Sequence, residues 1–284
     1  MKAPPFAYKK VSTLGEAFAL LDEYGDDARV LAGGQSLLAT LNMRLSSPRI
    51  LIDITGLEAL SGIAVAGGKV TLGALTTHAE IEHSPAIARA LPLLAQAAPH
   101  IAHVAIRNAG TIGGSIALAD PAAEWPSCCL ALGAEFVVTS KSGSRKIKTQ
   151  DFFKALYTTA LEPDELLTSI EIPLPAAGSR SAFVELTRRR GDYAIVGLAA
   201  AARLSNGTLA GVQLAYLGVD QTPMLAKNAM AELEGKRFSS AVIETAAKAL
   251  AADVEPSGDV YATAATKMHL ARVITGRALN ALAA

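Results

Sequence analysis

Apolar residues change their spacing several times along the chain, and each spacing implies a different backbone. "RVLAGG" and "RILIDIT" read as short strands; between them Leu37, Leu41 and Leu45 recur every fourth residue, which predicts a short helix starting just after Gln35-Ser36. "KVTLGALTTHAEIEHSP" predicts a strand and then a helix with Thr77 and Glu80 at capping-box spacing. "AIARALPLLAQAAPHI" reads as one longer helix, and "AEFVVTS" with "SRKIKT" as a hairpin. Up to about residue 175, strands and amphipathic helices therefore alternate as in α/β layers.

After "IEIPLPAAGSR" the pattern changes, and the punctuation by Pro173, Pro175 and Gly178 predicts a domain boundary. "SAFVELTRR", "AIVGLAAAARL" and "LAGVQLAYLGV" are three strand candidates, with the Asn-Gly of "SNGT" predicting a tight hairpin between the last two. Beyond Pro223 the Ala-rich remainder predicts two or three helices. The C-terminal part thus reads as α+β, a small antiparallel sheet covered by helices.

The chain has 284 residues, long enough for two domains, and its 26 basic and 26 acidic side chains cancel. No charge excess attracts nucleic acid or an anionic membrane surface. No run reaches the roughly 18 apolar residues a membrane span requires. "MKAPPFAYKK" places prolines and a basic pair where a secretory signal has an apolar segment, which leads to the expectation of a cytoplasmic protein. Cys128 and Cys129 are adjacent, a spacing unsuited to zinc or an iron–sulfur cluster, and read as buried small thiols on a helix.

Candidate chemistry lies in two glycine turns, "LAGGQSLLATLNMRL" and "AGTIGGSIALADPAAEWP". Glycine lets a ligand approach the main chain, and successive N–H groups at a helix start favour phosphate. One such turn is more often a tight connection than a site. Two that share Gly-Gly and serine suit a diphosphate clasped from both sides. Neither completes G-x-G-x-x-G, and the Gly-Lys-Ser/Thr ending of a phosphate loop is absent, which argues against ATP hydrolysis and an ordinary Rossmann site.

"VLAGGQSLLATLNMRL", "IRNAGTIGGSIALADPAAEWP" and "RRRGDYAIVG" resemble three signature regions of the FAD-binding medium subunit of molybdenum hydroxylases, the group of carbon monoxide dehydrogenase, xanthine dehydrogenase and bacterial N-heterocycle dehydrogenases. "DELLTSIEIPLP" and "ATKMHLARVITGRAL" extend the likeness, in order, over essentially the whole chain. The resemblance implies an α+β chain: a PCMH-type FAD-binding domain over 1–175, made of two α/β subdomains (about 1–55 and 56–175), then a smaller domain over 176–284 with a three-stranded antiparallel sheet and helices. Non-covalent FAD lies between the subdomains in such proteins. The first turn, Ala32, Gly33, Gly34, Gln35 and Ser36, then wraps the pyrophosphate, and Thr111, Ile112, Gly113, Gly114 and Ser115 complete the clasp. Asp120 matches a carboxylate that hydrogen-bonds sugar or ribityl hydroxyls, Tyr193 an aromatic near the isoalloxazine ring, and Ile106 and Leu166 apolar contacts with the cofactor. Each also has a plain structural reading: Asp120 as N-cap of the helix "PAAEWPSCCLAL" with Pro121 at its first position, Tyr193 as a half-buried strand start, Ile106 and Leu166 as core.

The resemblance further implies a large molybdopterin-binding partner and a small partner with two [2Fe–2S] clusters, assembled as a dimer of heterotrimers. Electrons would run from molybdenum through the clusters to FAD and then to an external acceptor, with no catalytic residue and no metal on this chain. The sequence departs from the family at Leu118, where many relatives carry His, and at Glu185, near a position that carries Lys. Loss of a cation there bears on the flavin potential. His100 and His103 read as helix-end or solvent-facing residues, and Arg188 to Arg190 as a solvated strand end. A self-sufficient flavin oxidase or reductase and a non-redox nucleotide-binding assembly protein remain alternatives. Substrate and terminal acceptor are not legible.

Overall fold

The computed structural model describes residues 2–284. The chain opens with β1 (Ala7–Lys10), α1 (Leu14–Tyr24), β2 (Ala28–Leu31), α2 (Leu37–Asn42) and β3 (Ile50–Asp53), whose strands form a parallel sheet in the order β1-β3-β2. Thr13 caps α1 by accepting the Glu16 N–H, while Glu16 accepts the Ser12 N–H, so two orphan donors are satisfied reciprocally. Ala17, Phe18 and Leu21 of α1 are buried in the core of this sheet. β1 is absent from the sequence reading because all four of its residues are exposed, leaving no alternation to detect. The every-fourth leucine pattern also overextends: α2 ends at Asn42, and Leu45 lies beyond it, 76% exposed.

The next segment holds β4 (Ile63–Ala66), β5 (Lys69–Gly73), α3 (His78–His83), α4 (Pro85–Ala90), α5 (Pro92–Ala97), α6 (Val104–Arg107), α7 (Ile112–Leu118), α8 (Glu124–Leu132), β6 (Glu135–Ser140), β7 (Gly143–Lys148), α9 (Thr149–Phe152), β8 (Phe153–Ala155), β9 (Thr158–Thr159) and β10 (Leu166–Pro173). Its main sheet is antiparallel throughout, in the order β4-β5-β10-β6-β7. The capping box of Thr77 and Glu80 is present at the start of α3. The single long helix expected over "AIARALPLLAQAAPHI" is instead α4, α5 and a 3-10 turn at Ala98–His100. Pro92 causes the break: it has no N–H to continue the ladder, and it holds Leu91 out of the helical region at φ −136°, ψ 68°. Trp125, Cys128 and Cys129 of α8 are fully buried among Phe136, Phe152 and the helices, so both thiols are core groups on a helix.

Leu174 to Gly178 lead into β11 (Ser179–Leu186), β12 (Val196–Ser205), β13 (Thr208–Leu217), β14 (Met224–Leu225), α10 (Lys227–Leu233), α11 (Ser240–Ala249) and α12 (Ala264–Ala283). The three expected strands form, with a two-residue fourth added, in the order β11-β12-β13-β14. Asn206 and Gly207, at φ 49° and 76°, make the tight hairpin between β12 and β13. Both faces of this sheet are covered. Phe183, Ala199, Ala215 and Leu217 join the core around α8, whereas Ala182, Leu198, Ala200, Leu214 and Tyr216 join the core of α10, α11 and α12. Burial on both faces explains why β12 reads as a continuous apolar run rather than an alternating one.

Candidate functional site

The two glycine turns meet. A Cβ on Gly33 would lie 2.1 Å from the Ala109 carbonyl oxygen and 2.8 Å from the Gly110 Cα, and one on Gly114 would lie 3.9 Å from the Ala32 methyl. Their chemistry differs, however. In the first turn Gly34 has φ 71°, and among the described residues the N–H groups of Gly33, Gly34, Gln35 and Ser36 have no protein acceptor. The Gln35 amide folds back onto the Gly33 carbonyl at 2.9 Å, and the Ser36 hydroxyl makes no cap bond to α2. Four adjacent donors thus stand at the positive end of a short helix.

The second turn does not offer such donors, contrary to the expectation of successive free N–H groups on both sides. Ile112 donates to the Thr76 carbonyl at 3.0 Å, Gly113 to the Ala74 carbonyl at 2.9 Å, and Gly114 to the Thr111 hydroxyl at 3.1 Å. Gly113 is glycine because a Cβ would fall 2.5 Å from that of Ala74. This turn is a wall locked to the end of β5, presenting an exposed Gly114 and a half-buried Ser115. Ile106, half-buried on α6, supports its base by accepting the Gly110 N–H at 2.7 Å.

Behind this wall His78 donates its N–H to the Gly110 carbonyl and accepts the Trp125 Nε1–H on Nδ1, each at 2.9 Å. Burial, aided by the Arg107 charge, pushes the imidazole down to about 4, so it stays neutral and keeps its acceptor. Arg107 is itself buried. It grips Glu82 through Nε (2.7 Å) and Nη2 (3.2 Å) and donates from Nη1 to the Ile101 and Ala102 carbonyls at 3.0 and 3.1 Å. One guanidinium thereby holds α3 and the segment leading into the second turn together.

α7 ends on left-handed Ala119 and delivers Asp120, which is buried. Its Oδ1 accepts the Ala122 N–H at 2.9 Å and its Oδ2 accepts the Tyr157 hydroxyl at 3.4 Å. Burial raises this carboxyl above its usual range against both bonds. Asp120 does not cap the following helix: α8 starts at Glu124 with Ala123 as N-cap, and Pro121 lies before it in the turn. The side chain serves its own turn instead, and the Pro121 carbonyl accepts the Gly218 N–H at 2.9 Å.

Tyr193 is 69% exposed, and partial desolvation followed by the charges of Asp120 and Glu124 raises its phenol. Its loop is seated by Gly191, at φ 83°, where a Cβ would lie 2.8 Å from both the Ala102 carbonyl oxygen and the His103 ring. Arg188 stacks over the Tyr261 ring at 5.4 Å, and Arg189 pairs with Asp192 at 3.2 Å. Leu166 is buried with Leu75 and Ile54 in the core of the first sheet, a cluster that Ala32 of the first turn also packs against. Sequence reasoning missed Tyr157, which the fold brings to Asp120 on a left-handed residue (φ 54°). A lone aromatic in a polar loop carries no periodic signal.

Glu124 and Glu185 face this region from α8 and β11. The first turn of a helix favours a carboxylate by only ~0.3–1 kcal/mol. Burial first, then Glu185 and Asp120, lift Glu124 from 4.5 to about 8, an effect on the order of 5 kcal/mol, so burial wins and the acid is protonated at pH 7.

Free donors on one turn and an exposed glycine, Gly114, on the turn packed beside it suit the approach of a diphosphate to the main chain. Residues 4–175 match the family described as FAD binding domain in molybdopterin dehydrogenase, and residues 181–282 match the CO dehydrogenase flavoprotein C-terminal domain. The fold is that of a flavoprotein subunit of oxidoreductase type. The carbon monoxide dehydrogenase medium chain of Hydrogenophaga pseudoflava is 38% identical over 281 residues, covering 99% of this chain and 98% of that one. A solved structure of carbon monoxide dehydrogenase from the same organism aligns with TM-score 0.97 and 40% identity over 99% of this chain and 98% of that one. Quinoline 2-oxidoreductase from Pseudomonas putida 86 aligns with TM-score 0.95 and 36% identity over 100% and 98%. The chain belongs to the FAD-binding medium-subunit family of the molybdenum hydroxylases.

Proposed function

We propose that this medium subunit works in electron transfer, receiving electrons from two [2Fe–2S] clusters on a small partner and delivering them to an external acceptor. Substrate is oxidised at a molybdopterin centre on a large partner, and the assembly is a dimer of such heterotrimers. Bound FAD supplies the reversible redox chemistry. The residues of this chain bind it and set its surroundings. Ala32, Gly33, Gly34, Gln35 and Ser36 hold the diphosphate with their free donors, against the wall of Thr111, Ile112, Gly113, Gly114 and Ser115. Asp120, steadied by Tyr157, accepts from sugar or ribityl hydroxyls. Ile106 and Leu166 supply apolar surroundings, and the exposed Tyr193 ring covers the isoalloxazine. Residues 1–175, divided near residue 55, form the flavin domain, and 176–284 the second domain.

The observation that carries this reading is the row of four unpartnered N–H groups from Gly33 to Ser36, held against the second turn by backbone contact at Gly33. The test is purification with native partners, release of flavin by denaturation, and metal analysis of the same sample. Released FAD with molybdenum and iron is expected. A colourless, metal-free preparation that also fails to take up added FAD overturns the proposal.

A further inference from the structure

We infer that the hollow at the seam of the two family regions binds a small amphipathic carboxylate, its apolar body lodged between the linker prolines and the end of α8 and its carboxylate held by Arg203 and Ser181. None of the residues assigned to the flavin lines this hollow, so the inference does not rest on the flavin reading.

The sheet of β11, β12 and β13 builds the floor. Phe183, Ala199 and Ala215 form one cross-strand row, packed into the core around α8. The next row on that face is Ser181, Ala201 and Gln213. There α5 has just begun at Pro92 and α8 is ending at Leu132, and the short side chains of Ser181 and Ala201 lie under a cavity of about 360 Å³. Pro92, Leu132, Pro173, Leu174 and Pro175 supply apolar walls. The prolines have fixed φ, and the linker is tied at both ends: Leu174 donates to the Gly68 carbonyl at 2.9 Å and Ser179 to the Ala176 carbonyl at 3.0 Å. Walls formed before the ligand arrives lower the cost of binding it.

The polar groups select the ligand. The Ser181 hydroxyl oxygen is buried and has no hydrogen-bond partner among the described residues, a rare condition in a folded protein. Ser179 is the register partner of Arg203, so Arg203 lies diagonal to Ser181 on the same face, a spacing that a long side chain spans. Arg203 is exposed, and Glu234, bound beside it at Gly211, spends its two oxygens on the Gly211 and Val212 N–H groups, each at 3.0 Å. Arg180, also at the hollow, gives Nη1 to the Leu282 carbonyl at 3.0 Å. Among the described residues no Asp or Glu lines the hollow. Positive charge and an unpaired hydroxyl beside apolar walls call for an anion with an apolar body, and one planar guanidinium matches one carboxylate. The volume is that of roughly a dozen waters, which suits an arylalkanoate or a medium-chain fatty acid.

The test titrates 4-phenylbutyrate and its neutral amide, 4-phenylbutanamide, into the purified full chain by calorimetry and ligand-observed NMR. The acid is expected to bind one site with Kd on the order of 0.1–1 mM, and the amide about tenfold more weakly. Arg203→Gln should lower acid affinity about tenfold, to that of the amide, and leave the amide unchanged. Ala201→Leu, which fills the hollow, should abolish binding of both, with a thermal melt recorded to show that the variant is folded. Absence of saturable acid binding, equal affinity for acid and amide, or unchanged acid affinity in Arg203→Gln overturns the inference, as does full acid binding by folded Ala201→Leu. Arg203 is an exposed side chain, so its variant decides the question whatever Ala201→Leu does to folding. Flavin content enters none of these readouts, so failure of the flavin reading shows separately, as loss of bound FAD.

Discussion

Gly33 and Ala109, 76 positions apart by number, are in backbone contact: no Cβ fits on Gly33 without coming within 2.1 Å of the Ala109 carbonyl oxygen. The two glycine turns are thus one structural unit. The first turn, which carries the free donors, is held against the second by this contact.

Gly33→Ala should accordingly disturb both turns. The clash is with backbone, so the chain has to shift, and a stability loss of about 1–3 kcal/mol is expected with at least a tenfold loss of FAD affinity. Gly15→Ala is the control: a Cβ there meets only the Thr13 hydroxyl, at 3.8 Å, inside α1. It should stabilise by roughly 0.5–1 kcal/mol and leave flavin binding unchanged. Thermal melts and flavin fluorescence titrations check both.

Removing Glu82 leaves the buried Arg107 guanidinium without its carboxylate. Glu82→Ala should cost about 3–5 kcal/mol in urea unfolding. Because Arg107 also holds the carbonyls of Ile101 and Ala102, the variant should bind FAD more weakly even below its unfolding midpoint.

Two buried groups give opposite pH dependences. His78 is depressed from 6.5 to about 4, so the unfolded chain binds its proton first, and stability falls as pH drops through that window, by roughly 3 kcal/mol at full extent. Glu124 is raised from 4.5 to about 8, so its contribution is fully present below pH 4.5 and is lost as pH rises through about 8. His78→Gln, which retains an acceptor for Trp125, should flatten the acid limb, and Glu124→Gln the alkaline one, in denaturant melts across pH 4 to 9.

Tyr157→Phe removes the hydroxyl on Asp120 without emptying a core site, since Tyr157 is 56% exposed. Stability should change by less than about 0.5 kcal/mol. FAD affinity should fall two- to tenfold by titration, as Asp120 loses the group that steadies it.

Local chemistry explains which parts of the fold were readable from sequence. The capping box at Thr77, the Asn-Gly hairpin and the two-sided run of β12 all formed because each signal is complete within a few residues. The reading failed where a signal was absent or overruled. β1 has no buried face to generate alternation, and Pro92 interrupts a helix whose apolar pattern continues through it. Asp120 followed by Pro121 has the form of a helix start, yet the side chain turned to Ala122.

The sequence by itself determined that two Gly-Gly segments exist, that a short helix follows the first, and that the family motifs run in order along the whole chain. Only the tertiary structure decided that the first turn keeps its donors free while the second spends them on Thr76, Ala74 and Thr111. It also decided that Tyr157 reaches Asp120, and that the side chains of Glu124 and Glu185 are buried. Donor satisfaction and burial depend on which distant backbone arrives at a residue, and that information is spread over the packing of α3, α8 and β11 rather than contained in any local run of residues.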